Sequence, residues 1–297
     1  MPLFSVRSFS AALLAAGLAA CAARPAGPPM VAVTSTSSST ATSTSTTTLP
    51  LSREQIDAIV ASPDRSAADR TNDQRRHPGE MLIFIGIHPG WTALDVSTGG
   101  GYTTELLARA IGPTGLVWAQ GRPPSPDQPR PAAAEGGAPP PAPRRNTADV
   151  LADRAAGMQA AGVAAAPIAY VARPFDDPVP PEVANGQLDL VTLMFNYHDF
   201  GFLGIDRART NAAIFKALKP GGLYVIADHA GRPGTGITES GTLHRVEESF
   251  LRAEVEAAGF RLQAEGDFLR NPNDPRDQNT PNPPQPKDEF VLKFVKP

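Results

Sequence analysis

Two histidine–aspartate pairs stand just past apolar runs, Asp228-His229 directly after Ala227 and His198-Asp199 beyond Asn196-Tyr197. Imidazole titrates near neutrality, so His198 and His229 are candidates to take a proton from a nucleophile, with Asp199 and Asp228 placed to orient them. The same pairs have a structural alternative, in which each caps a strand end through a hydrogen bond. Nitrogen and oxygen ligands from two strand ends also suit a divalent metal, but nothing in their spacing specifies one, and none is assigned.

A further motif is Thr92-Ala-Leu-Asp95-Val-Ser97-Thr-Gly99-Gly100-Gly101-Tyr102. An apolar run ends in an acid, turns on three glycines and becomes an amphipathic helix. Glycines let backbone approach a nucleotide-like ligand at a helix N-terminus. Asp95 is placed to bind a hydroxyl or amine, and Tyr102 to pack against the ligand. Other polar groups end the following strands: Gln120-Gly121, Asp176-Asp177 and Asn196-Tyr197-His198-Asp199. A doubly wound sheet binds its ligand at these C-terminal strand ends.

The elements that must position these groups alternate. Leu51 to about Arg76 reads as a helical lead-in capped by Ser52, with the charged tract Asp64–Arg76 wrapping the outside. Strands are predicted at Thr92–Val96, Leu116–Ala119, Ile168–Val171, Leu188–Phe195, Leu223–Ala227, Phe260–Gly266 and Glu289–Val295. Helices are predicted at Thr103–Ile111, Thr147–Ala161, Arg207–Leu218 and Glu247–Ala258. This order implies an α/β fold: a doubly wound, mostly parallel seven-stranded sheet with an antiparallel C-terminal strand.

Outside residues 51–297 the composition changes. Residues 1–20 carry Arg7 and a short apolar run, followed by Cys21, the only cysteine. The sequence Leu18-Ala-Ala-Cys21 reads as a lipoprotein-type signal with Cys21 as the lipidation site, giving membrane attachment through a lipid and an exported, periplasm-facing location. Ala22 lacks the aspartate linked to inner-membrane retention, which favours the outer membrane. Residues 21–50 are a Ser/Thr/Pro-rich tether, and residues 121–146 a Pro-rich insertion read as disordered. A net charge of −3 without a basic block argues against a nucleic-acid partner. No Gly-x-Ser-x-Gly elbow supports a hydrolase, and Gly99-x-Gly101-x-x-Thr104 lacks the third glycine of a dinucleotide site.

Leu94-Asp-Val-Ser-Thr-Gly-Gly-Gly101, Leu188-Asp189-Leu-Val and Leu218-Lys-Pro-Gly-Gly222 resemble the landmarks of class I S-adenosylmethionine-dependent methyltransferases. Tyr197-His198-Asp199, Asp228-His229 and Thr242-Leu-His244-Arg245 are similar to an exported bacterial group of predicted methyltransferases. The resemblance implies S-adenosylmethionine as cofactor, held by Asp95, Ser97, Gly99, Gly100, Gly101, Tyr102, Gln120, Asp176 and Asn196. It further implies a small-molecule substrate near Tyr197, Asp228 and His244, with His198, Asp199 and His229 catalytic. Ser97 stands at the family's first glycine position, which serine fits with a negative φ. Gln120 stands where the family carries an acid that grips the ribose hydroxyls. The rival reading is a catalytically inactive member of the fold that binds a ligand or partner at the cell envelope.

Overall fold

The computed structural model describes residues 49–123, 145–279, 281 and 285–297. The signal-type segment, nearly all of the 21–50 tether and most of the 121–146 insertion lie outside them. Three helices lead in: α1 (Arg53–Ala61), α2 (Ala67–Arg76) and α3 (Pro78–Ile85). The Ser52 side chain accepts from the Gln55 amide while Gln55 reaches back to Ser52, so α1 starts on a capping box. His77, at φ 44°, turns the chain between α2 and α3, and Pro78 begins α3, where a missing N–H costs nothing.

The alternating part follows: β1 (Thr92–Val96), α4 (Tyr102–Ile111), β2 (Leu116–Gly121), α5 (Thr147–Ala160), β3 (Ile168–Ala172) and β4 (Leu188–Met194). Next come α6 (Tyr197–Phe202), α7 (Arg207–Ala217), β5 (Leu218–His229), α8 (Ser240–Leu243), α9 (Glu248–Ala257), β6 (Arg261–Gly266) and β7 (Glu289–Val295). The seven strands lie in the order β3-β2-β1-β4-β5-β7-β6. All pairs from β3 to β5 are parallel, and β7 runs antiparallel to both β5 and β6.

Alternate strand residues feed two cores. Leu94, Val191, Leu193 and Ile226 meet Ile214 of α7 and Leu251 of α9 on one side. Ala93, Val117, Leu190 and Val225 meet Leu82 of α3, Leu107 of α4 and Met158 of α5 on the other. Strands covered on both faces explain the unbroken apolar run of β4. Two details differ from the sequence reading. Lys219-Pro-Gly-Gly222 is an irregular start to β5, whose register against β4 shifts between Leu188 and Leu190. Residues 197–202, to which the sequence reading assigns no helix, form α6.

Candidate active site

The parallel strands β1, β4 and β5 end at one edge, and the antiparallel β7 begins there, with His229 paired to Glu289. The groups brought together are the glycine loop, Phe195–Asp199, Asp228-His229 and Glu289.

The glycine loop is held from both sides. Gly101 sits at φ 78° as the N-cap of α4, and a Cβ there would stand 2.6 Å from Leu151. Glycine is required at this position for space and conformation alike. A Cβ on Gly99 or Gly100 would meet nothing closer than 3.8 Å, so this stretch of backbone faces open space. Arg154 of α5 donates from Nε to the Gly100 carbonyl (2.7 Å) and forks onto Asp69 of α2. Asp73 of α2 takes a two-pronged contact from Arg65 and the Tyr102 hydroxyl at 2.6 Å. The charged tract 64–76 lies on the outside, as its polarity suggests, but Arg65 and Asp69 turn inward from it. Asp64, Asp69 and Arg75 pair with Arg109, Arg154 and Glu289 far along the chain, and α2 is pinned against the loop.

Ser97 has φ 60°, not the negative value expected for a serine at a glycine position. Phe195, at the end of the neighbouring strand, has φ 59°. Left-handed backbone costs a non-glycine residue about 1–2 kcal/mol, and such strain collects at functional sites. The Ser97 hydroxyl donates to Asn196 Oδ1 (2.7 Å), tying the two strand ends together.

Four residues expected to face ligand are used internally. Asp95 is 2 % exposed and accepts from the Thr104 and Thr192 hydroxyls at 2.6 and 2.7 Å, buried under α4. Burial pushes its carboxyl up to about 6, against the lowering effect of these hydroxyls. Gln120 is buried, accepts from the Ser97 amide (2.9 Å) and donates to the Arg173 carbonyl (2.6 Å). It braces the loop instead of offering its amide to a ribose. Tyr197 is buried in the core, with its hydroxyl donating to Glu254 and accepting from Asn211. Asp228 is buried and binds the His198 ring and amide and the His229 amide. Asp176 pairs instead with Arg209 of α7 at 3.5 Å.

The two histidines have opposite electrostatics. His198 Nδ1 lies 2.6 Å from Asp228 Oδ1, and Nε2 lies 3.2 Å from Asp199 Oδ1. Burial opposes charge on this ring, but the two carboxylates outweigh it and push His198 up to about 9. The near-neutral base expected at His198 is thus a holder of a proton at pH 7. Burial pushes His229 well below the ordinary histidine value, more than Asp228 compensates, so this ring is neutral. Its Nδ1 is 2.9 Å from Glu289 Oε1 but out of line for a hydrogen bond. Burial raises Glu289 to about 7, against the pull of Arg75 and Arg76. His244, half-exposed, points Nδ1 at Asp199 Oδ1 (3.1 Å).

Sequence reasoning missed Arg76, Phe195 and Glu289. The Arg76 guanidinium stacks 3.7 Å from the centre of the Phe195 ring, and no hydrogen bond or ion pair holds it among the described residues. It lines a narrow apolar pocket with Met81, Tyr102, Leu106, Met194 and Phe195. A wider polar pocket on the β7 side is lined by Arg75, Arg270, Asn271, Lys287 and Glu289.

No protein-family model matches the chain, and no curated protein matches it. Among solved structures it is similar to an Aquifex aeolicus SAM-dependent methyltransferase, with 14% identity and a TM-score of 0.50 over 83% of this chain and 100% of that one. A TehB-like SAM-dependent methyltransferase from Corynebacterium glutamicum aligns at 16% identity and a TM-score of 0.44, covering 78% of this chain and 99% of that one. The chain has the fold of class I S-adenosylmethionine-dependent methyltransferases.

Proposed function

We propose that this chain binds S-adenosylmethionine across Gly99–Gly101 and transfers its methyl group to a small-molecule or envelope acceptor. The observation that carries this reading is Arg76. A cation without an ion pair among the described residues lines a pocket with Tyr102 and Thr103, which follow the glycines directly, and with Phe195 just after β4. It suits the carboxylate of the cofactor's amino-acid end. Gly121, which ends β2, and the described residues after it, Arg122 and Pro123, offer no carboxylate to the ribose, and Gln120 is engaged elsewhere. The adenosine end is accordingly held through backbone and shape, and affinity is modest.

Bound S-adenosylmethionine supplies an activated methyl carbon, which leaves positioning and proton transfer to the protein. Neutral His229 takes the proton of an oxygen or nitrogen nucleophile entering from the polar pocket. His198, fixed by Asp228 and Asp199, sets the shape and charge of the floor beneath it. Methyl transfer from labelled cofactor to envelope extracts, compared between the native chain and His229→Asn, tests the assignment; equal transfer by both removes His229 from the reaction.

The engaged Gln120 favours a second reading, an inactive ligand-binding member of the fold at the envelope. Cofactor binding without turnover on any acceptor supports that reading. The Leu18-Ala-Ala-Cys21 motif supports the proposal that the protein is lipidated and faces the periplasm, held at the outer membrane.

A further inference from the structure

His198, Asp199 and His244 come from two separate segments, yet their ligand atoms all lie within 4.8 Å of one another. Asp199 Oδ1 is the common point, 3.2 Å from His198 Nε2 and 3.1 Å from His244 Nδ1. Metal–ligand bonds of about 2.0–2.2 Å place neighbouring donors roughly 3.0–3.5 Å apart in octahedral or tetrahedral shells. The two distances fall in that range. We propose that His198 Nε2, Asp199 Oδ1 and His244 Nδ1 form a two-histidine, one-carboxylate site for a divalent transition metal.

The groups behind these atoms are those such a site needs. The far nitrogen of His198 is held by a buried carboxylate, Asp228, which fixes ring orientation and directs Nε2 toward Asp199 Oδ1. The second oxygen of Asp199 accepts from Asn196 Nδ2 at 2.8 Å, leaving Oδ1 to coordinate. His244 adopts φ 51°, a conformation costly for its side chain, at the end of α8. Its ring is 40% exposed, so a bound metal keeps coordination positions open toward solvent. Nitrogen and carboxylate donors with open positions suit Fe(II), Mn(II), Co(II) or Zn(II) and not a closed structural site. The assignment stands apart from the methyl-transfer reading, because metal binding is measured without cofactor or acceptor.

The test is a titration of the metal-free full chain with Co(II) alone, read by the visible absorbance of the protein-bound ion and by bound-metal stoichiometry. One equivalent is expected. His244→Ala and Asp199→Asn should each weaken binding at least about tenfold, with melting curves confirming that both remain folded. His88→Ala serves as control, since His88 stacks on Trp91 before β1, at the opposite edge of the sheet, and should bind as the native chain does. Absence of bound cobalt at excess metal, or a bound equivalent unaffected by both substitutions, overturns the site. Because His244 is half-exposed, His244→Ala keeps the test decisive even where a change at Asp199 unfolds the protein.

Discussion

Arg76 and His229 each have one feature that their neighbours lack. Arg76 makes no ion pair or hydrogen bond among the described residues, and His229 has a buried ring nitrogen without a hydrogen bond. Losing a charge-assisted hydrogen bond costs about 1.5–3 kcal/mol, so Arg76→Ala should weaken S-adenosylmethionine binding roughly 10- to 100-fold by calorimetry, with little change in melting temperature. His229→Asn should lower kcat roughly 100- to 10 000-fold while leaving cofactor affinity intact, the split expected of a proton acceptor. Asp95 predicts a pH effect. Its folded carboxyl is raised to about 6 from 3.8, so between these values the native state holds a proton that the unfolded chain has released. Stability from this group therefore falls as pH rises from about 4 to about 6, by about 3 kcal/mol in all. Urea midpoints of the native chain and Asp95→Asn should converge near pH 4 and separate in favour of the variant near pH 7. The histidine–aspartate pairs were legible from residue type alone. Their assignments were not, because the neutrality of one ring and the charge of the other depend on burial and on carboxylates, Asp228 and Glu289, that only the folded sheet brings alongside.

Among the elements, the strands and most helices announce themselves in sequence. Runs such as Leu188–Met194 are apolar because helices cover both faces, and the turn signals between them are strong. The lead-in is different. Residues 67–76 contain no large apolar side chain, and the tract reads as a solvated surface. Its partners, Arg154 and Tyr102, lie far away in the chain, and no local pattern reports such pairing. Arg154→Ala should expose the importance of this helix. It leaves Asp69 without its cation, leaves Glu105 with Arg109 alone and frees the Gly100 carbonyl, with an expected loss of about 3 kcal/mol in urea unfolding. Cofactor affinity should fall with it, as the loop loosens. Ser97 gives a related lesson: its left-handed backbone is imposed by the Asn196 and Gln120 contacts and cannot be read from serine itself.

For the whole molecule, the sheet order, the glycine loop and Arg76 converge on one edge, and the proposed acceptor pocket is lined by Glu289, the neighbour of His229. The proposed lipidation of Cys21 carries an independent prediction: the native chain should fractionate with membranes and Cys21→Ser with the soluble fraction. The most direct test of the central claim is calorimetric titration of the full chain with S-adenosylmethionine, alongside Arg76→Ala. One saturable site in the native chain, weakened at least about tenfold by the substitution, is the predicted result. No binding at millimolar cofactor, or equal binding by both proteins, would contradict the account.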